Sequence, residues 1–295
     1  MFQRLLICTS LADGLQRLVH FTHSFAAAGV QQIVFLHVAP LEGRGIPKAN
    51  EAKVQQAMQL LSAALVDVPA GLEVKVEVLA GRPDEIILAT ARHHQSDLII
   101  LGSESRSLLT EKLFGSTAAA LCQSNRLPVL ILRPQLVSTY TVAELDLRCR
   151  YLFRYLLVPY DGSETSEYLL SQIEQRSHQP APAGQILEEC LLLRVLGEND
   201  RLEKLLHDSR LKQAEAQIAA AKARLEAAQL KVVARVEQGD PILMTLQIAM
   251  DYDITAIAIA TGTMGRLTEW SVPSFAAELL RRSWHPVLFF PFQEG

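Results

Sequence analysis

The chain has 295 residues, 49% of them hydrophobic and 20% charged, with a formal net charge of -4 at pH 7. That is enough apolar material for ordinary globular cores, in a length that suits two domains of about 100 to 200 residues each. Both signs of charge are interspersed and no run reaches the roughly 18 apolar residues of a membrane span, so neither nucleic acid nor membrane is an expected partner. The opening "MFQRLLICTS" turns polar too soon for a secretory signal, which makes the cytoplasm the expected compartment.

In chain order, the first half carries four short apolar runs rich in β-branched residues: "RLLICTS" from Arg4, "QIVFLHV" from Gln32, "LEVKVEVLAG" from Leu72 and "DLIILGS" from Asp97. It closes on "LPVLILRP" from Leu127. Helical patterns separate these runs, one of them around Asn50 to Val66 after the Gly/Pro-containing loop "LEGRGIPKAN". Strands alternating with helices of ten or more residues read as βαβ units, and near-continuous apolar strands as a parallel sheet covered on both faces.

The second half repeats the order with "RYLLVPYDGS", "ECLLLRV", "LKVVARVEQG", "ITAIAIATG" and "HPVLFFPF". Shifting by 158 positions puts Gly81 on Gly239, Pro83 on Pro241, Leu109 on Leu267, Ser116 on Ser274 and Pro128 on Pro286 without a gap. Nearer the start the shift is smaller, because Leu5-Leu6 pairs with Leu156-Leu157. The extra residues of the second copy fall in "NDRLEKLLHDSRLKQAEAQIAAAKARLEAAQL". This long helix is predicted to pack on its own sheet, since Leu202, Leu205, Leu206, Ile218 and Leu225 hold no strict heptad. The expected fold class is α/β: two tandem Rossmann-like domains at residues 1–137 and 153–295, each an open five-stranded parallel sheet with helices on both faces, joined by a linker at 138–152.

Cys8, Cys122, Cys149 and Cys190 form no C-x-x-C pair and read as small buried hydrophobes. His20 and His23 are spaced as two ligands on one helix would be, but no third lies near them in sequence, so no metal is expected.

The candidate chemistry lies where strands end. "LTEKLFGSTAAAL", Leu109 to Leu121, recurs as "LTEWSVPSFAAEL", Leu267 to Leu279. In the first copy a strand ends at Leu101, a turn begins at Gly102, and Gly115-Ser116-Thr117 open the next helix, where free backbone N–H groups and hydroxyls form an anion site. In an open parallel sheet, ligands collect beyond the carboxyl ends of the strands where the strand order reverses. Asp161, ending the second copy's first strand, is placed to accept hydrogen bonds from a base or ribose. Without any ligand, tight turns needing positive φ explain Gly102 and Gly115, and helix capping explains Ser116 and Asp161.

The order of elements, with "LLVPYDGSETS", "VEQGDP", "LIILGS" and the Pro-Val-Leu of each last strand, resembles the universal stress protein family over nearly the whole chain. The resemblance implies a tandem stress-response sensor or regulator that binds ATP or another adenine nucleotide. Members that bind ATP carry Gly-x2-Gly-x9-Gly-Ser/Thr after strand four and an Asp after strand one. The nucleotide-binding residues so implied are Ser10, Val38, Gly102, Ser103, Ser105, Gly115, Ser116 and Thr117 in the first copy, and Asp161, Val195 and Ser274 in the second.

Each copy departs from the pattern. In the first, Ser105 replaces the second glycine, Glu104 adds a charge that repels phosphate, and Ser10 stands where the second copy has Asp161. In the second, Pro273-Ser274 replaces Gly-Ser and removes a backbone N–H, while "GTMG" at Gly262 to Gly265 is out of frame. Phosphates are therefore expected nearer Gly115-Ser116-Thr117 than Ser274. The alternative is a protein-interaction module that binds no nucleotide. A slow ATPase is weaker still, because the chain has no G-x-x-x-x-G-K-[ST] loop, and no catalytic residue is expected. The resemblance also implies that "PVLILRP" and "PVLFFPF" pair within the chain, covering two strand edges, and leaves a homodimer open.

Overall fold

The computed structural model describes residues 1–42, 48–102, 117, 121, 126–177, 187–197, 204–261 and 275–292. Two compact units divide the chain, the bulk of one being Phe2–Tyr151 and of the other Leu152–Ala181 with Ile186–Gly295. Both are α/β.

The first unit runs β1 (Arg4–Cys8), a 3-10 turn, α1 (Thr22–Ala27), β2 (Gln32–Ala39), a small antiparallel pair of β3 (Leu41–Glu42) and β4 (Lys48–Ala49), then α2 (Glu51–Leu61). It continues with β5 (Glu73–Ala80), α3 (Pro83–His93), β6 (Leu98–Gly102), β7 (Val129–Leu132), α4 (Pro134–Thr139) and α5 (Val142–Arg150). Its main strands are all parallel, in the order β5-β2-β1-β6-β7.

The second unit comprises β8 (Tyr155–Pro159), α6 (Glu164–Ser177), β9 (Glu189–Leu196), α7 (Lys204–Ala227) and β10 (Lys231–Gln238). After these come α8 (Pro241–Asp251), β11 (Ala256–Thr261), α9 (Phe275–Arg282) and β12 (Val287–Pro291). Its parallel strands run β10-β9-β8-β11-β12. In both units the chain winds outward from the first strand one way and then, from the fourth, the other way. The order thus reverses between β1 and β6 and between β8 and β11, which opens a crevice beyond the carboxyl ends of those strands.

Residue pattern explains strand position. Leu5, Leu6 and Ile7 of β1 and Ile33 to Leu36 of β2 are fully covered, as are Leu156 to Val158 of β8 and Cys190 to Leu192 of β9. Such runs suit central strands covered on both faces, and each buried Leu or Ile contributes about 1.5–3 kcal/mol. The alternating "EVKVEV" of β5 instead marks an edge, where Lys75 and Glu73 form an ion pair of 2.8 Å. Polar residues set where strands start. The Asp97 carboxylate accepts from the N–H groups of Gln3 (2.7 Å) and Arg4 (3.0 Å), and in the second unit Thr255 Oγ1 bonds both the N–H and the carbonyl of Tyr155.

The long helix α7 buries Ala214, Ile218, Ala221 and Leu225, a stripe at helical spacing, against β9 and β10. Its Arg224 bonds Glu174 and Glu167 of α6. Segment 138–152, expected as a linker, holds the end of α4 and the whole of α5. The Arg17 guanidinium donates to the carbonyls of Val137, Ser138 and Tyr140, and the Ser24 hydroxyl to Asp146, so these helices are fastened to the first unit.

Cys8, Cys149 and Cys190 are buried free thiols, and burial pushes each one's pKa up, Cys190's to about 12. Cys122 lies outside the described residues. Among the described residues no helix is long and apolar enough to cross a membrane, and no three His, Cys, Asp or Glu side chains cluster as metal ligands would.

Candidate functional site

The two crevices are built on equivalent backbone. The N–H of Thr9 donates to the carbonyl of Leu36 at 3.0 Å, and that of Tyr160 to Leu193 at 2.9 Å. With these residues matched, Ser10 corresponds to Asp161, His37 to Arg194 and Val38 to Val195.

In the first unit Ser10 is exposed, and its N–H donates to Asp13 Oδ2 at 2.8 Å. The other oxygen of Asp13 accepts from the Thr9 hydroxyl (2.7 Å) and the Leu15 N–H (3.0 Å). Asp13 is buried, and three donors of its own loop hold its carboxylate. The loop closes through Leu11 and Gly14, both at positive φ. A Cβ placed on Gly102 would lie 3.1 Å from the Cβ and 3.3 Å from the Oδ2 of Asp13. Gly102 is outside the left-handed region, which corrects the turn explanation: the glycine is required because the Asp13 side chain lies against it.

Sequence matching placed only Ser10 at the end of strand one and passed over this carboxylate. The signal was present, since Asp13-Gly14 repeats Asp161-Gly162 and both glycines are left-handed, at φ 74° and 77°. In the first copy the pair simply comes three residues later. Val38 is half-buried at the end of β2, next to His37, whose Nδ1 meets the Thr9 carbonyl at 2.9 Å. Thr117 is helical and half-buried. Ser103, Ser105, Gly115, Ser116 and Ser274 lie outside the described residues.

In the second unit Asp161 lies two residues beyond the end of β8 and is exposed. Its Oδ1 accepts from the N–H (3.0 Å) and hydroxyl (2.5 Å) of Ser163 at the start of α6. Partial burial raises its pKa, but the bonds from Ser163, the Ser166 hydroxyl and the charge of Arg194 outweigh this and hold it below the usual carboxylate value. Beside it, Tyr160 donates to Glu167, and burial followed by that hydrogen bond pushes the phenol up to about 12.

Asp161 and Val195 line one cavity of about 360 Å³, together with Arg194, Arg210, Gln213 and Gln217. That volume lies in the range of small-molecule sites. The structure thus brings together the two second-copy candidates it describes and adds two arginines that sequence matching missed. Arg194 was visible as the charged residue in the otherwise apolar "CLLLRVL".

Comparison with known proteins gives this arrangement its context. The model of the universal stress protein family matches residues 1–133 and again 153–291. The chain belongs to the universal stress protein family. A universal stress protein of Methanocaldococcus jannaschii is 24% identical over 157 residues, covering 45% of this chain and 96% of that protein. The crystal structure of a universal stress protein from Archaeoglobus fulgidus matches 98% of this chain and 96% of its own, at 20% identity and a TM-score of 0.67. A Pseudomonas aeruginosa protein of unknown function matches 98% and 92%, at 16% identity and a TM-score of 0.58. At these identities the solved structures speak for the fold, which is that of a tandem universal stress protein.

Proposed function

We propose that this universal stress protein is a nucleotide-binding regulator of a stress response, acting by binding and not by turnover. The observation that supports this most is the second-domain crevice. Asp161 and Val195, nominated from sequence as contacts of an adenine nucleotide, face a single cavity of about 360 Å³ at the carboxyl ends of β8 and β9. A carboxylate there suits the hydroxyl or amine donors of a ribose or base, because it only accepts. In the first domain, the phosphate-binding role of Gly115, Ser116 and Thr117 rests on the family resemblance.

One observation favours a second reading for the first domain. Asp13 is bound by three donors of its own loop and packed on Gly102, so that domain could serve as an interaction module without nucleotide. Mass spectrometry of small molecules released from the purified, denatured full chain, followed by calorimetric titration with ATP and AMP, separates the readings. An adenine nucleotide released or bound is the expected result. Absence of both would leave the interaction module.

A further inference from the structure

Arg194 is the polar group of the second domain that internal structure explains least. Its Nε and Nη1 are buried and have no hydrogen-bond partner among the described residues. A buried donor left unmet is costly, more so when charged, so native structures rarely leave one without a purpose. At the matching position of the first domain stands His37, whose ring is bonded to the Thr9 carbonyl.

The surroundings of Arg194 point to a class of ligand. Among the described residues it shares its cavity with Arg210 and one carboxylate, Asp161, so two guanidiniums face one acid in the described lining. Arg210, Gln213 and Gln217 project from one face of α7, three and four residues apart, which adds amide donors to the same wall. Gly162, at φ 77°, admits this wall closely: a Cβ there would lie 3.3 Å from Gln217 Nε2.

We propose that the second-domain crevice binds a small organic oxyanion, a phosphate ester or a carboxylate that also carries a hydrogen-bond donor, with the oxyanion held by Arg194 and Arg210 and the donor facing Asp161. Planar guanidinium forks match phosphate and carboxylate oxygens in pairs, and a desolvated fork gains most from such a partner. Asp161 is acceptor-only and held ionised, so the ligand must present a hydroxyl or amine to it. The proposal rests on reading this crevice as a ligand site, and not on the ligand's being a nucleotide.

The test is calorimetric titration of the full chain with ribose 5-phosphate, tartrate and neutral ribose, and separately with AMP. At least one of the first two anions should bind with Kd below ~1 mM and ribose should not; whichever anion binds identifies the oxyanion. Arg194→Gln should weaken that binding at least tenfold, and Arg194→Lys should recover part of it, restoring charge without the fork. Should Arg194→Gln fail to fold, Arg210→Gln at its exposed helix position decides by the same criterion. The proposal is overturned if neither anion binds, if ribose binds equally well, or if the glutamine variants bind as the parent does. AMP binding that is indifferent to both arginines would overturn it while leaving the nucleotide reading intact. Anion binding without AMP binding would do the reverse.

Discussion

The two crevices of this chain share a backbone and differ in what their acidic residue is bonded to. In the first domain the carboxylate of Asp13 accepts from Thr9, Ser10 and Leu15, is buried, and lies on Gly102, while the neighbouring His37 is bonded to Thr9. In the second, Asp161 takes its hydrogen bonds from the start of α6 and stays exposed, and Arg194 replaces His37 with two buried nitrogens that have no partner among the described residues. The same strand ends therefore support a loop that satisfies itself in one copy and polar groups turned to a cavity in the other. Duplication kept the sheet, which needs only apolar strands, and let the loops divide into a self-bonded and a cavity-facing form.

The largest expected effect tests this division directly. Asp13→Ala strands the buried Thr9 hydroxyl and Leu15 N–H and the half-buried Ser10 N–H, and should cost about 3 kcal/mol at roughly 1–3 kcal/mol per unmet buried donor, part of it recovered by relaxation. Asp161→Ala loses exposed bonds at the start of a helix and should cost about 1 kcal/mol or less. Hydrogen exchange of the β1 and β8 amides reads each domain separately. Equal losses would break the comparison.

A smaller effect sharpens the claim that Gly102 exists for Asp13. Gly102→Ala should cost about 1 kcal/mol, the scale of a modest overpacking, because its Cβ would sit 3.1 Å from that of Asp13. In an Asp13→Gly background, which removes that Cβ along with the carboxylate, the same change should be nearly neutral, giving a coupling energy of about 0.5–1 kcal/mol in a double-mutant cycle. Additive costs would mean that Gly102 answers to something else.

These pairs show what the sequence disclosed and what it withheld. Apolar runs spaced by helices carry the α/β class and the duplication because a covered strand requires a run like "LLIC" or "CLLL" whatever surrounds it. The alternation in "EVKVEV" likewise marks an edge strand by local chemistry alone. Asp13 escaped because an ungapped frame fixes residue numbers while a loop fixes where a carboxylate lands: three inserted residues folded back bring Asp13 onto Gly102. Gly102 was read as a turn glycine because sequence cannot distinguish a required φ from a close neighbour. Arg194 lines a cavity with Arg210 and Gln217 of α7 only after folding brings that helix over β9.

Acid should weaken the second domain through Asp161. The folded-state pKa of Asp161 is lowered, so its contribution is fully present above the unfolded value of about 3.9 and is lost as pH falls through the lower folded value. Melting of the parent and of Asp161→Asn between pH ~5 and ~2 should show the parent losing more of its second-domain stability over that interval, because the asparagine has no charge to lose. Parallel curves would show that the bonds from Ser163 and the charge of Arg194 do not favour the ionised form.

The smallest expected effect is on catalysis. A crevice with two guanidiniums and a carboxylate could be mistaken for a phosphoryl-transfer site, but its parts are arranged to hold charge. Asp161 is kept ionised by Ser163 and Arg194, so its affinity for a proton from an attacking water is reduced below that of an ordinary carboxylate. The strand-four loops contain no G-x-x-x-x-G-K-[ST] motif, so the lysine that such a loop places on a transferring phosphoryl group has no counterpart in that pattern. Purified protein should therefore turn over ATP well below the ~1 per second of a working enzyme. Glu104, two positions after Gly102 in the sequence, is the carboxylate best placed there to act as a base. Turnover near ~1 per second that disappears in Glu104→Gln would replace the binding function with an enzymatic one, and would move the chemistry to the first domain.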